Sequence, residues 1–356
     1  MLHVVLPGNI DDPAAPSGGN TYDRRVCQGL SAAGWSVNEL AVPGAWPRPG
    51  TAGRAALAGA LAALPDDALV LLDGLVACAA PDIVVPEAGR LRLVVLVHLP
   101  LGDETGLAPD EAAALDALER RTLGAATAVI ATSAWSGRRL VEHHGLPAAR
   151  VHVAAPGVDP APLATGTPDG SRLLCVAAVR PRKGQDVLVE ALATITDAPW
   201  SCVCVGGLDR APDYVERLRR LVEKYTVDDR VRLVGPRTGD DLAASYAAAD
   251  LLVLASHTET YGMVVTEALS RGIPVVATAV AGVPEAIGHA PDGGLPGMLV
   301  PPADPAALAA ALRRWLGEPA TRHRLRSAAR DRRATLHGWD ATSKTIADVL
   351  RPWRTG

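Results

Sequence analysis

The chain contains no phenylalanine, and its aromatic residues make up only 3% of 356 positions. Its cores must therefore be built from Leu, Val and Ala. The Arg-dense stretch 313–333 has no aromatic platform interleaved with it, so it reads as a solvated helical face and not as a nucleic-acid surface. Cysteine is scarce as well. Five cysteines, an odd number with no C-x-x-C, exclude a disulfide framework and a zinc site of Cys spacing. Cys175, Cys202 and Cys204 fall in Val-rich runs and read as core thiols. No apolar run is long enough for a membrane-spanning helix, which argues against stable membrane insertion. The first ten residues lack a basic n-region and run into Asp11 and Asp12, so a first strand is expected there instead of a leader, and the cytoplasm is the expected location. Neither G-x-G-x-x-G nor G-x-x-x-x-G-K-[ST] occurs, which excludes a dinucleotide fingerprint and a P-loop.

What is present is 48% hydrophobic and 21% charged, a globular composition, in a length that suits two domains. The net charge of −4 is unevenly spread. Residues 1–170 carry 11 Lys and Arg against 18 Asp and Glu, net −7, while residues 171–356 carry 24 against 21, net +3. A basic half suits a nucleoside diphosphate, and an acidic half disfavours nucleic acid and anionic membranes as partners.

Short apolar runs alternate with helical patterns in both halves, which predicts parallel sheets flanked by helices. Strands are expected at 2–7, 37–42, 69–72, 93–97, 128–131 and 151–155, and a helix at 21–33 closed by Gly34. The pair Gly18-Gly19 is expected in a loop before that helix, where bare backbone amides can approach a phosphate or sugar closely. His98 follows the strand 93–97 and so stands at the mouth of a sheet. The Pro-, Gly- and Thr-rich stretch 160–170 is the predicted linker. After it, Arg180-Pro181-Arg182-Lys183-Gly184 forms a basic turn before a helix at 185–194, an electrostatic clamp for a diphosphate.

The densest signal lies at 251–285. Two apolar runs, 251–255 and 273–277, flank a helix opened by Gly262 and closed by Gly272, with Pro274 forbidding continuation. Glu259 lies in the loop at the strand end and Glu267 lies in the helix, eight residues on. Carboxylates accept hydrogen bonds and so suit the hydroxyls of a sugar or ribose.

The pattern E-x7-E followed by A-L-x-x-G-x-P-V-V-A resembles the signature of the retaining, family-4 glycosyltransferases of GT-B fold. The Gly-Gly pair, the corner Pro156-Gly157-Val158-Asp159 (Pro where the family has Asn) and Lys183-Gly184 resemble further family motifs. The likeness spans nearly the whole chain. It implies an α/β, GT-B fold of two doubly wound, Rossmann-like parallel-sheet domains facing a central cleft. Residues 1–163 with a returning helix in 336–356 would bind acceptor, and 171–335 would bind the nucleotide sugar. It also implies transfer of a hexose-type sugar, with retention, from a UDP- or GDP-linked donor to a small-molecule acceptor. Glu259, His98 and Lys183 become the catalytic candidates. Gly18, Gly19, Arg180, Arg182, Lys183, Arg237, Tyr261, Gly262, Met263, Val264 and Glu267 become the donor-binding candidates. Ala178 stands where the family has an Arg on the diphosphate, so Arg180 or Arg182 must substitute for it or the clamp is weaker. The sequence contains no D-x-D, which disfavours the metal-dependent transferases of the other common fold; no metal and no cofactor beyond the sugar nucleotide are expected. The acidic first half favours a soluble neutral or cationic acceptor such as an aminocyclitol. A membrane-associated lipid or cell-envelope transferase, a non-catalytic binder of sugar nucleotides, and a phosphorylase or epimerase of the same fold remain as alternatives.

Overall fold

The computed structural model describes residues 1–12, 16–104 and 106–354. Its contacts divide the chain into two compact units, one formed by Met1–Asp12, Ser17–Gly157 and the segment from Trp339 on, the other by Val158–Gly338. The first unit runs β1 (Leu2–Pro7), α1 (Gly18–Ala32), β2 (Val37–Val42), α2 (Gly50–Ala62), β3 (Leu69–Asp73), α3 (Gly74–Ala77), α4 (Pro81–Glu87), β4 (Arg92–Val97), α5 (Pro109–Ala125), β5 (Ala128–Ala131), α6 (Ala134–His144) and β6 (Val151–Val153). The second runs β7 (Arg172–Val176), α7 (Gln185–Ala193), β8 (Ser201–Val205), α8 (Pro212–Lys224), β9 (Val231–Leu233), α9 (Gly239–Ala247), β10 (Leu251–Leu254), α10 (Met263–Leu269), β11 (Val275–Thr278), α11 (Val283–Ile287), β12 (Gly297–Val300), α12 (Pro305–Gly317) and α13 (Pro319–Arg332). The last helix, α14 (Trp339–Leu350), belongs to the first unit.

Each unit holds a parallel six-stranded sheet among the described residues, in the orders β2-β1-β3-β4-β5-β6 and β12-β11-β10-β7-β8-β9. The inner strands β1, β3, β5, β10 and β11 are buried along their whole length, as coverage of both faces requires, whereas the edge strands β2, β6 and β9 are only partly buried. In β1, Val5 packs into one hydrophobic cluster while Leu2, Val4 and Leu6 pack into another, as period-two alternation requires. The second core is organised around Trp315 and Leu312 of α12 and Leu188, Val189 and Leu192 of α7, all fully buried. Helix α14 lies on α1 so closely that a Cβ on Gly29 would meet Ser343 Oγ at 2.0 Å. Chain reversals in strand order fall between β1 and β3 and between β7 and β10. At such switch points the loops beyond the strand ends part and leave room for a ligand.

Two expectations differ from what is observed. Gly18 and Gly19 are the first residues of α1, not a loop before it: Ser17 caps the helix by accepting from Asn20 N at 3.1 Å, which moves the start three residues earlier. The stretch 160–170 is not a free linker. Ala164 N donates to Arg271 O at 2.9 Å, Thr167 N to Asp250 Oδ1 at 2.6 Å, and Trp315 Nε1 to Gly170 O at 2.8 Å, so it is laced onto the second unit.

Candidate functional site

In the second unit, the loops after β7 and β10 bring the basic turn and the first glutamate together at the switch point. The turn is a single 3₁₀ turn over Pro181–Lys183, closed by Gly184 at φ 63°. No other residue fits there, because a Cβ on Gly184 would meet Ala255 O at 2.1 Å. The backbone of the two loops is stitched by His257 N donating to Arg182 O at 2.8 Å. Lys183 Nζ thereby reaches Glu259 Oε1 at 2.5 Å, Arg182 Nη1 lies 3.7 Å from Glu259 Oε2, and Ser256 Oγ donates to Oε1 at 2.8 Å. The side chains of Lys183, Arg182 and Glu259 are 16%, 14% and 9% exposed, so this is a nearly dry cluster with two cations and one anion. Burial pushes the Glu259 carboxyl up, but the charges of Lys183 and Arg182 prevail and hold it below its ordinary value. For Lys183 burial wins, and the ammonium lies below its usual range despite its partner. Gly282 packs against this loop, its N–H donating to Glu259 O at 3.0 Å, and a Cβ there would strike Thr260 O at 2.0 Å.

Glu267 sits on α10, which Gly262 opens at φ 91°. Its Oε2 accepts from the buried Tyr246 hydroxyl at 2.6 Å, and Arg271 stacks on the Tyr246 ring at 4.5 Å. Burial raises the Glu267 carboxyl, while the Tyr246 bond and the Arg271 charge act the other way. Met263 and Val264 form the first turn of α10 and are half-buried. Tyr261 is 9% exposed, its hydroxyl pushed up to about 12 by burial and by Glu285. Arg180 begins the basic turn. Arg237 is tied to a different element, donating from Nη1 to Ser245 Oγ on α9 at 2.8 Å. Geometry thus joins Lys183, Arg182 and Glu259 directly, while Arg237 is held on the helix that carries Tyr246.

In the first unit, the switch point between β1 and β3 carries a second cluster. His98, after β4, has Nε2 at 2.8 Å from Asp23 Oδ1 on α1 and 4.0 Å from Asp73 Oδ2 at the end of β3. Both carboxylates are almost wholly buried. Burial would lower the imidazole, but Asp23 and Asp73 overrule it and raise His98 to about 9. Asp73 is itself raised to about 8, by burial first and then by Asp23. Gly19 abuts the ring: a Cβ there would lie 3.3 Å from His98 Cδ2. Tyr22 meets the same ring edge-on, centroids 5.2 Å apart, and donates its hydroxyl to Ala154 O at 2.8 Å. Of the expected residues, His98 and Gly19 are neighbours, and Gly18 precedes them at the helix start.

Reading the sequence missed Ser256, Tyr246, Asp23 and Asp73. Asp73 carried a usable signal, a carboxylate ending an apolar run before a glycine. Tyr246 reaches Glu267 across 21 positions, and Asp23 reaches His98 across 75, separations at which no local pattern helps.

Residues 16–162 match the family model described as Glycosyltransferase Family 4, and residues 166–332 match that described as Glycosyl transferases group 1. The chain is 35% identical over 256 residues to the D-inositol 3-phosphate glycosyltransferase of Kineococcus radiotolerans, covering 65% of this chain and 59% of that protein. The enzyme of the same name from Frankia alni is 33% identical over 254 residues, covering 66% and 60%. The chain therefore spans less than two thirds of the length of these curated relatives. Among solved structures, sucrose-phosphate synthase from Thermosynechococcus elongatus superposes with a TM-score of 0.80 at 24% identity, over 99% of this chain and 98% of that one. Anabaena HepE in complex with UDP-glucose superposes with a TM-score of 0.76 at 20% identity, over 99% and 100%.

Proposed function

The chain belongs to the family-4 glycosyltransferases of GT-B fold, and on that premise we propose that it moves a hexose-type sugar, with retention at the anomeric carbon, from a UDP- or GDP-linked donor to a small polyhydroxy acceptor. The observation that carries this reading is the Lys183–Glu259 pair, set at the switch point of the second sheet with Arg182 beside it. The departing diphosphate gains negative charge as the glycosidic bond breaks. A fixed cation in a water-poor site stabilises that charge more than water would, since the site needs little reorganisation. Lys183 supplies it, with Arg182 and Arg180 as the arginines that take the place left by Ala178. Glu259, ionised and already bonded to Ser256, holds donor sugar hydroxyls when the diphosphate draws Lys183 toward itself. Glu267 accepts from the ribose hydroxyls, its carboxylate oriented by Tyr246. Tyr261 and Gly262 in the loop and Met263 and Val264 in the first turn of α10 offer backbone amides, and Arg237 borders the base.

His98 is the proposed hydroxyl contact within the first unit, the unit that would bind the acceptor. As an imidazolium it donates from both nitrogens, one of them to Asp23, and the other is available to a hydroxyl oxygen. Charge neutralisation by Lys183 and arginine makes the reaction independent of a metal in this reading. Two of the relatives are named for D-inositol 3-phosphate, which supports a cyclitol acceptor. The net charge of −7 over residues 1–170 favours one without the phosphate.

The test is a thermal-shift screen of UDP, GDP, ADP and TDP sugars, because a ligand that binds only the native state raises its melting temperature. It is followed by product analysis with the selected donor and inositol, inositol 3-phosphate and an aminocyclitol as acceptors. A donor-selective shift together with a sugar-bearing product supports the reading. A shift without transfer or donor hydrolysis identifies a non-catalytic binder. Absence of a shift with every nucleotide refutes the donor assignment.

A further inference from the structure

Among the described residues, the reaction proposed above leaves one constellation of ligating side chains without a task. Asp116 on α5 and His143 and His144 at the end of α6 each offer one nitrogen or oxygen within 4.8 Å of the other two. His143 Nε2 bonds Asp116 Oδ1, and the two imidazole rings meet edge-on with centroids 4.9 Å apart. Behind them, Glu119 lies one turn along α5 from Asp116. Its Oε2 is 3.0 Å from His144 Nε2, and its Oε1 accepts from Leu101 N at 3.2 Å. The side chains of His144 and Glu119 are each 1% exposed.

The chemistry of this pair is constrained. An ionised carboxylate only accepts, so the hydrogen between Glu119 and His144 is on Nε2. That leaves His144 Nδ1, which is buried and has no hydrogen-bond partner among the described residues. A buried ring nitrogen without a partner is disfavoured in either protonation state. A carboxylate that fixes one imidazole nitrogen so that the other presents its lone pair is the arrangement found around metal-bound histidine.

We propose that Asp116, His143 and His144 bind one divalent transition cation of the zinc class, with Glu119 as the outer carboxylate orienting His144. Two imidazoles and a carboxylate are a donor set for zinc, whereas magnesium and calcium prefer oxygen ligands throughout. Zinc bonds of about 2.0–2.2 Å place ligand atoms roughly 3.3 Å apart in a tetrahedron, so the three donors must draw in by up to about 1.5 Å. Asp116 and His143 are half-buried and bonded to each other, a contact the cation would replace, while His144 is anchored by Glu119. On binding, the cation takes the lone pair of His143 Nε2 and the proton there passes to Nδ1 or to solvent. Water completes the coordination.

An occupied site would fasten α5 to α6. Those helices also hold the 3₁₀ turn Leu101–Asp103 in the loop after His98, through Glu119 on Leu101 N and through Arg139, whose Nη2 donates to Asp103 Oδ1 at 3.0 Å. The cation's role is thus to stiffen that loop, separate from the transfer chemistry.

The experiment is titration of the full chain, stripped with chelator, with zinc chloride, followed by calorimetry and by melting temperature. All five cysteines are buried and do not compete. One zinc per chain and a raised melting temperature are expected, with no such rise for magnesium. His143→Ala should abolish both, and Glu119→Gln should weaken zinc binding tenfold to a hundredfold. Cobalt should give a tetrahedral visible band that disappears in Asp116→Asn, which provides a second variant should His143→Ala fold poorly. The proposal is overturned if the wild-type chain takes up no stoichiometric zinc. It is equally overturned if His143→Ala or Asp116→Asn binds as the wild type does.

Discussion

Removing the Glu267 carboxylate should weaken nucleotide binding in a way that depends on the ribose. A hydrogen bond to a charged group contributes about 1.5–3 kcal/mol, and tenfold in affinity corresponds to about 1.4 kcal/mol. Glu267→Ala should therefore raise the Kd for UDP, or GDP if the screen selects it, by roughly tenfold to a hundredfold. The same change takes the acceptor from the Tyr246 hydroxyl, a residue 1% exposed, and an orphaned buried hydroxyl costs about 1–3 kcal/mol of stability. Glu267→Gln separates the two effects. Its amide oxygen still accepts from Tyr246, so stability is nearly kept, while the neutral acceptor holds ribose less well. The expected order of affinity is wild type, then Gln, then Ala. Calorimetric titration with the nucleotide and with its 2′,3′-dideoxy analogue closes a thermodynamic cycle. The analogue should bind weakly to wild type and lose little further on Glu267→Ala. Equal losses for both ligands, or an unchanged Kd in a folded Ala variant, would refute the ribose role.

Lys183→Ala should reduce turnover by about a hundredfold to a thousandfold, with a raised KM for the donor, because it removes a preorganised charge where negative charge develops; steady-state kinetics at saturating acceptor decide this, and turnover within threefold of wild type would contradict the assignment. The first unit should lose stability as pH rises. His98 goes from an ordinary 6.5 to about 9 and Asp73 from 3.8 to about 8, so the folded chain binds protons that the unfolded chain releases. Each contribution is fully present below the unfolded value and lost as pH climbs through the folded one, so the decline is steepest between about pH 6.5 and 8, where both run. Asp23→Asn, which removes a charge that raises both groups, should flatten the profile of melting temperature against pH; an unchanged slope would dismiss the coupling. Trp315→Ala should destabilise the second unit by about 3–5 kcal/mol, since the ring is fully buried and its Nε1 satisfies Gly170 O; urea melts followed by intrinsic fluorescence measure it, and a loss under about 1 kcal/mol would show that the α12 core repacks freely.

Much of this architecture was legible in the sequence because parallel strands covered on both faces are written as short apolar runs. The apolar run starts at 273, yet β11 begins at Val275, since Pro274 has no N–H for the ladder. Helices α3 and α4 escaped notice: four and seven residues are too short for a 3.6-residue period to emerge. The second-unit site was readable because Lys183 and Glu259 both sit at strand ends that a Rossmann order makes adjacent. What surrounds them was not. Ser256, Tyr246 and Asp23 act on groups reached through the packing of separate elements, and a helix start at Gly18 instead of Thr21 depended on the cap formed by Ser17.

If the second unit holds a sugar nucleotide by its diphosphate and its ribose, both groups should be seen on the residues assigned to them. A crystal structure with the nucleotide selected by the thermal screen tests it most directly. Diphosphate oxygens should lie within hydrogen-bonding reach of Lys183 Nζ and ribose hydroxyls on Glu267, with the Lys183–Glu259 contact lengthened from 2.5 Å. Nucleotide density that leaves Lys183, Glu259 and Glu267 untouched would contradict it.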